Sequence, residues 1–393
     1  MNAIPRMRTY AGPALLSYGF RPFFLFGAIF AGGAILIWLP VSFGDASMTT
    51  VFAPRDWHVH EMLFGYIPAV MTGFLLTAIP NWTGRLPIQG RALAVLVCVW
   101  LAGRVAIALS AMIGWRLAAL VDVAFLALVA AAAAREIAAS RNWRNLKIVV
   151  MIGFFLLGNA AFHVEAHLHG TADIGIRIGI AAIVLLISVI GGRIIPSFTR
   201  NWLVRENPGR LPVPFARFDA IVIAMSAVSL ALWIASPASA WAGSALLIIG
   251  VLQAVRLFRW AGHRTLRDPL VLVLHVGYAF IPLGFVLVGA SAFAAVPSSA
   301  GIHAWTAGAA GLMTLAVMTR AILGHTGQAL VASAETQLIY GLAAVAACAR
   351  IGAAMIQAWS EPLLWLSGLS FAAAFIGFAI AYGPALWGQR KTI

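Results

Sequence analysis

The chain has 393 residues, 62% of them apolar and only 10% charged, with a formal charge of +14. Soluble domains carry about 25% charged residues, so this chain has too little charged surface for a nucleic-acid face, and no nucleic-acid partner is expected. The composition is that of an integral membrane protein lying in a lipid bilayer, where an excess of Arg and Lys reports topology.

A membrane-crossing helix needs roughly 20 mainly apolar residues. Such runs fall near residues 19–40, 58–80, 92–110, 114–134, 147–168, 173–196, 218–235, 240–258, 270–292, 302–323, 336–357 and 362–385. The expected fold is all-α, a polytopic membrane bundle of twelve transmembrane helices. Connections are short, so residues 1–393 are read as a single integral membrane domain. The opening MNAIPRMRTY lacks a short apolar core followed by a small-residue cleavage site, and no cleaved signal peptide is expected.

Nineteen of the 26 basic residues lie at the termini or around the even-numbered connections, among them Arg6, Arg8, Arg85, Arg144, Arg205, Arg264 and Lys391. The odd-numbered connections hold only Arg55 and Arg116. This bias places both termini in the cytoplasm and fixes which end of each span faces out.

Ionisable groups inside spans are costly and point to function. Span 2 opens at its outer end with His58, His60 and Glu61; span 5 ends outside with His163, Glu165, His167 and His169; span 10 starts outside with His303. Six of the nine histidines are thus expected on one membrane face, from three separate spans. Neutral imidazole is the commonest side-chain metal ligand and an axial ligand of haem iron. His163 and His167 are four apart, share one helical face and are placed to grip one metal. His58 and His60 are two apart and face different partners. With no thiolate in the set, haem iron, copper or non-haem iron fits better than structural zinc. Asp122, Arg104, Arg177 and Arg350 also fall in the outer half, where the arginines are expected to pair with Glu61, Asp122 and Glu165; structural ion pairs are the plainer reading of these charges.

The inner ends of spans 2, 6 and 10 carry a second constellation: Asn81, Thr83 and Arg85; Arg193, Thr199 and Arg200; Arg320, His325 and Thr326. These groups suit an anionic partner such as a haem propionate, with helix termination and membrane anchoring as the alternative. His303 and His325 lie 22 residues apart on one helix, or about 33 Å, and cannot share a site. Cys98 and Cys348 sit in apolar runs, form no CxxC or CxxCH, and are read as small core residues, so covalent haem attachment is not indicated. At a constant offset of 243, His60, Gly65, Ala78, Ile79, Thr83 and Gly84 align with His303, Gly308, Ala321, Ile322, Thr326 and Gly327, which suggests equivalent roles for the two histidines.

Five stretches together resemble the NnrS family of bacterial membrane proteins: GFRPFFLFGAIFA from Gly19, WHVHEMLFGY from Trp57, GFLLTAIPNWTGR from Gly73, GGRIIPSFTRN from Gly191 and HAWTAGAAGLMTLAVMTRAILGHTG from His303. The resemblance implies a twelve-helix protein of the bacterial cytoplasmic (inner) membrane holding copper and non-covalent, b-type haem, linked to nitric oxide metabolism and protection from nitrosative stress. It carries over to His58, His60 and Glu61, to His303, Arg320 and His325, and to Arg193 and Arg200; His163 and His167 rest on the depth argument. The expectation is a His-ligated metal site on the outer side that binds nitric oxide, with Glu61 as the proton-moving carboxylate. An electron donor and an oxidoreductase activity on nitric oxide would accompany it. The rival readings are a twelve-helix transporter of a small solute or metal, and an assembly scaffold without cofactor.

Overall fold

The computed structural model describes residues 10–388; Arg6, Arg8, Arg390 and Lys391 of the topology argument lie outside them. Among the described residues, twelve helices are long and apolar enough to cross a membrane. They are α1 Phe20–Phe43, α2 Pro54–Thr83, α3 Arg91–Ala108, α4 Trp115–Ala139, α5 Trp143–His169, α6 Asp173–Glu206, α7 Arg217–Ala235, α8 Ala240–Arg264, α9 Pro269–Ser291, α10 Ser298–Thr326, α11 Ala334–Met355 and α12 Gln357–Trp387. All twelve expected spans are present and no strand forms among the described residues. The protein is a multi-pass membrane protein. Its apolar side chains turn outward as well as inward: Leu120 is 70% exposed and Ile380 72%. That pattern suits a lipid solvent, where apolar surface has no reason to hide.

The ends of the helices are set by local chemistry. Gly44, Gly84 and Gly170 stop α1, α2 and α5 in the left-handed region, at φ 86°, 67° and 75°, which glycine adopts without a Cβ clash. Ser239, Asp268 and Ser333 accept backbone N–H bonds at the starts of α8, α9 and α11. Arg21, 4% exposed, donates through Nη1 to the carbonyls of Leu386 at 3.0 Å and Gly388 at 2.6 Å. A buried guanidinium thus caps the final helix where its carbonyls have no partner of their own, which explains the arginine of the GFRPFF stretch.

The chain forms two compact units. The first comprises residues 1–179, 321–329 and 378–393; the second comprises 180–320 and 330–377. In the first unit α1 packs along α2, and α4 packs against both α3 and α5. In the second, α8 packs along α7 and α9, and α10 along α9 and α11.

Two helices depart from α geometry. In α2, Glu61–Tyr66 is a π-helix; in α10, Ala304–Ala310 is one. Each begins at the residue after the histidine of the offset-243 alignment, so the echo noted in the sequence marks a shared backbone feature. π-turns cost hydrogen-bond geometry and concentrate at functional sites. In α2 the indole N–H of Trp100 satisfies the carbonyl of Gly65 inside the π-segment, at 2.9 Å.

Similar short stretches lie near the ends of three helices: Ile79-Pro80-Asn81-Trp82-Thr83 closes α2, Ile322-Leu323-Gly324-His325-Thr326 closes α10, and Ile195-Pro196-Ser197-Phe198-Thr199 precedes the last turns of α6, which runs on to Glu206. Gly84-Arg85-Leu86-Pro87 follows α2 and Gly209-Arg210-Leu211-Pro212 follows α6.

Candidate metal centre

The first unit buries an acid–base cluster built by four helices. α2 supplies His60 and Glu61, α3 Arg104, α4 Asp122, and α5 Asn159 and His163. His60 and Asn159 are 0% exposed, Glu61 1%, Asp122 2% and His163 3%. Asp122 is the hub. Its Oδ1 pairs with the Arg104 guanidinium. Its Oδ2 accepts from Asn159 Nδ2 at 2.8 Å and lies 3.1 Å from His163 Nε2 and 3.2 Å from His60 Nε2. The other His60 nitrogen, Nδ1, is 2.9 Å from Glu61 Oε1, which also accepts from Arg104 Nη1 at 2.7 Å.

Local sequence explains the convergence. Adjacent helical residues normally diverge by about 100°, yet His60 and Glu61 both turn inward at the entrance to the π-segment. Asn159 and His163 are four apart on α5 and share its buried face. Gly65 leaves room for the guanidinium: a Cβ there would collide with Arg104 Nη1. Two carboxylates face one guanidinium, which leaves one formal negative charge to be met by a proton or a metal cation.

His60, Asp122 and His163 can hold a metal ion: one ligand atom from each lies within 4.8 Å of the others. In tetrahedral coordination with bonds of about 2.0 Å, neighbouring ligand atoms are about 3.3 Å apart. The two imidazole-to-carboxylate separations, 3.1 and 3.2 Å, are hydrogen-bond and ion-pair contacts of about that length, and the distance between the two imidazoles is within 4.8 Å.

The expected site residues divide. His60, Glu61 and His163 come together. His58 is half-buried and stacks on Trp38 with centroids 4.3 Å apart, facing another partner than His60, as its two-residue spacing suggests. The expected His163–His167 pair does not form. His167 is exposed and stacks on Trp115 at 4.1 Å, because the turn that separates it from His163 carries it to the start of α4. Glu165 does not pair with an arginine in the way expected: it accepts the backbone N–H of Ile174 at 3.1 Å and of Gly175 at 2.6 Å, satisfying the open first turn of α6. Arg104 pairs with Glu61 and Asp122 as expected, while Arg350 belongs to the second unit and all three acids to the first. Cys98 and Cys348 are both exposed rather than core residues; apolar flanks place a residue in a span but do not say which side of the helix it occupies.

Of the inner constellation, Arg193 and Arg200 are exposed and Arg320 lies over the Phe198 ring at 3.9 Å, all in the second unit. His325 belongs to the first unit, beside the rings of Tyr18 at 5.8 Å and Phe20 at 5.5 Å. His303 is part of the second unit and its Nδ1 lies 2.7 Å from the Ser299 carbonyl. Two members of the cluster were not read as ligands or supports from sequence: Asp122, taken only as an arginine partner, and Asn159. Both were marked by being polar within an apolar span, and Asn159 also by its place four residues before His163.

The fold and the cluster define a polytopic helical membrane protein with a buried two-histidine, one-carboxylate centre. A family model described as NnrS protein matches residues 14–390, and the chain belongs to that family. No curated relative matches the chain.

Proposed function

We propose that this chain is a haem- and copper-binding protein of the bacterial inner membrane that acts in nitric oxide metabolism or nitrosative-stress protection, with His60, Asp122 and His163 holding the copper. The observation that carries the reading is the approach of two imidazole Nε2 atoms to one carboxylate oxygen, at 3.1 and 3.2 Å. Among first-row divalent metals, copper binds nitrogen and oxygen ligands most tightly. Three protein ligands leave a coordination position for a small molecule, which is the chemistry copper would supply here. Nitric oxide is small and apolar, so it reaches a buried site through lipid.

The chain's own residues set the geometry. Glu61 orients the His60 ring through Nδ1 and directs Nε2 at the centre. Arg104 occupies Oδ1 of Asp122, which leaves Oδ2 for the metal. Asn159 fixes the same carboxylate from α5. Haem is supported by the family resemblance, and His303, whose ring is held by the Ser299 carbonyl, is the residue that would hold its iron. Arg193, Arg200, Arg320 and His325 are the candidates for anionic groups. An electron donor would complete an oxidoreductase.

A membrane-buried acid–base network also suits a proton-coupled transporter, and one experiment separates the two. Metal analysis and optical spectra of purified protein should show copper and a Soret band. His60→Ala and His163→Ala should each lower the copper-to-protein ratio while the protein stays inserted, and His303→Ala should lower haem. Well-folded wild-type protein with neither copper nor Soret absorbance would defeat the proposal and leave transport.

A further inference from the structure

One side chain from a connection between helices packs on the cluster beside Phe162. Phe52 belongs to the connection between α1 and α2. Its neighbours Val51, Ala53 and Pro54 are exposed, Val51 by 49%, whereas Phe52 is 8% exposed. Its ring stands 5.6 Å from the His60 ring, 5.8 Å from that of His163 and 5.3 Å from that of Phe162. One residue therefore reaches from a surface loop to both candidate imidazole ligands.

The loop that carries Phe52 is tied to the residues just beyond the end of α3. Ser110, 0% exposed and just beyond the end of α3, accepts the Val51 N–H through Oγ at 3.0 Å. The same hydroxyl is hydrogen-bonded to Thr50 Oγ1 at 3.0 Å. The Ala111 N–H donates to the Thr49 carbonyl at 3.3 Å, and the Phe52 N–H to Thr50 Oγ1 at 3.4 Å. The residues around the ring are thus anchored through Ser110 and Ala111 on one side and, two residues on, by the Trp38 indole N–H, which donates to the Pro54 carbonyl at 3.0 Å, while the helices beneath are fixed by continuous backbone ladders. Loops tied by few bonds are the segments that open locally.

We propose that Phe52, carried on the strap of residues 49–52, is the gate of the His60–Asp122–His163 centre and sets what reaches it. Closed, the ring excludes hydrated and bulky polar molecules and leaves a small apolar gas the lipid route. The gate rests on the proposed metal centre for its purpose, but its geometry does not require a metal.

Histidine carbethoxylation by diethyl pyrocarbonate, read by peptide mass spectrometry on chelator-treated full-length protein in lipid nanodiscs, tests this directly. In the wild type, exposed His167 should react quickly and His60 and His163 slowly. If the open state is a minor one, populated at about 10% or less, removing the ring should speed reaction at His60 and His163 by about tenfold or more. Phe52→Ala should show that rise, Ser110→Ala a smaller one, and Phe52→Trp none. Unchanged rates at His60 and His163 in both Phe52→Ala and Ser110→Ala, with His167 reacting normally, would overturn the gate. A large fall in the melting temperature of Phe52→Ala would mark loss of fold, and Ser110→Ala alone would then decide. Because the protein is metal-free, failure of the gate is distinct from failure to bind copper.

Discussion

The two units each bury an arginine–aspartate pair, and the two pairs are built differently. In the first, Arg104 and Asp122 sit among His60, His163, Asn159 and Glu61. In the second, Arg256 donates through Nε to Asp219 at 2.9 Å and through Nη1 to Tyr278 Oη at 2.8 Å and the Ser188 carbonyl at 3.0 Å. Tyr278 in turn donates to Gln253 Oε1, and Gln253 Nε2 to Ser226 Oγ, at 2.8 and 3.0 Å. Each cluster draws on four consecutive helices, the first on α2, α3, α4 and α5 and the second on α6, α7, α8 and α9. The chain order of the charges differs: Arg104 on α3 precedes Asp122 on α4, whereas Asp219 on α7 precedes Arg256 on α8. Where the first cluster has two imidazoles on its carboxylate, Asp219 has the Arg256 guanidinium on Oδ1 and the Ala216 N–H on Oδ2. The lesson is that one buried ion pair serves as framework in both places, and the addition of His60 and His163 is what makes the first a candidate metal centre.

Removing Asp122 should break the comparison most severely. Asp122→Ala leaves Arg104 buried and short of a partner, at a cost of about 3–5 kcal/mol, and removes a metal ligand. A large fall in the melting temperature of detergent-solubilised protein should come with loss of copper. The counterpart in the second unit separates those two effects. Asp219→Ala should cost stability on the same scale of about 3–5 kcal/mol and leave the copper-to-protein ratio of the surviving folded protein unchanged. Copper loss there would mean the second cluster is not mere framework.

Glycine substitutions sharpen the contrast at smaller amplitude. A Cβ on Gly192 would collide with Arg256 Nη2. Gly192→Ala should therefore destabilise by about 1–3 kcal/mol, the usual cost of overpacking, with copper retained. Gly65→Ala, which presses on Arg104 Nη1 instead, should cost a similar amount and also weaken copper binding; a chelator competition titration distinguishes them. The smallest effects belong to the histidines outside the cluster. His58→Ala and His167→Ala should each change stability by no more than about 0.5 kcal/mol and leave copper content intact. Copper loss in either would enlarge the ligand set beyond the three residues assigned here.

Much of this was legible in the sequence, and what was not had a physical cause. Apolar runs and the arginine alternation give the number of spans, because span length is fixed by bilayer thickness. They also give depth, which singled out His60, Glu61, His163, Arg104 and Asp122 from one end of the spans. Azimuth around each helix is harder. In lipid both faces of a helix are apolar, so the amphipathic pattern that orients helices in soluble proteins is faint. Cys98 and Cys348 therefore looked like core residues and face outward, and His167 looked like a partner of His163 and stacks on Trp115 instead. The π-segments are not written in any local motif. They sit where the offset-243 identities begin, so an alignment of the chain with itself held a signal that periodicity did not.

The central claim is that His60, Asp122 and His163 form one metal centre, and copper-edge X-ray absorption on copper-loaded protein tests it most directly. The account predicts imidazole nitrogen and carboxylate oxygen ligands at about 2.0 Å, with the imidazole contribution reduced in His163→Ala. Sulfur ligation, or a wild-type spectrum unchanged by His163→Ala, would contradict it.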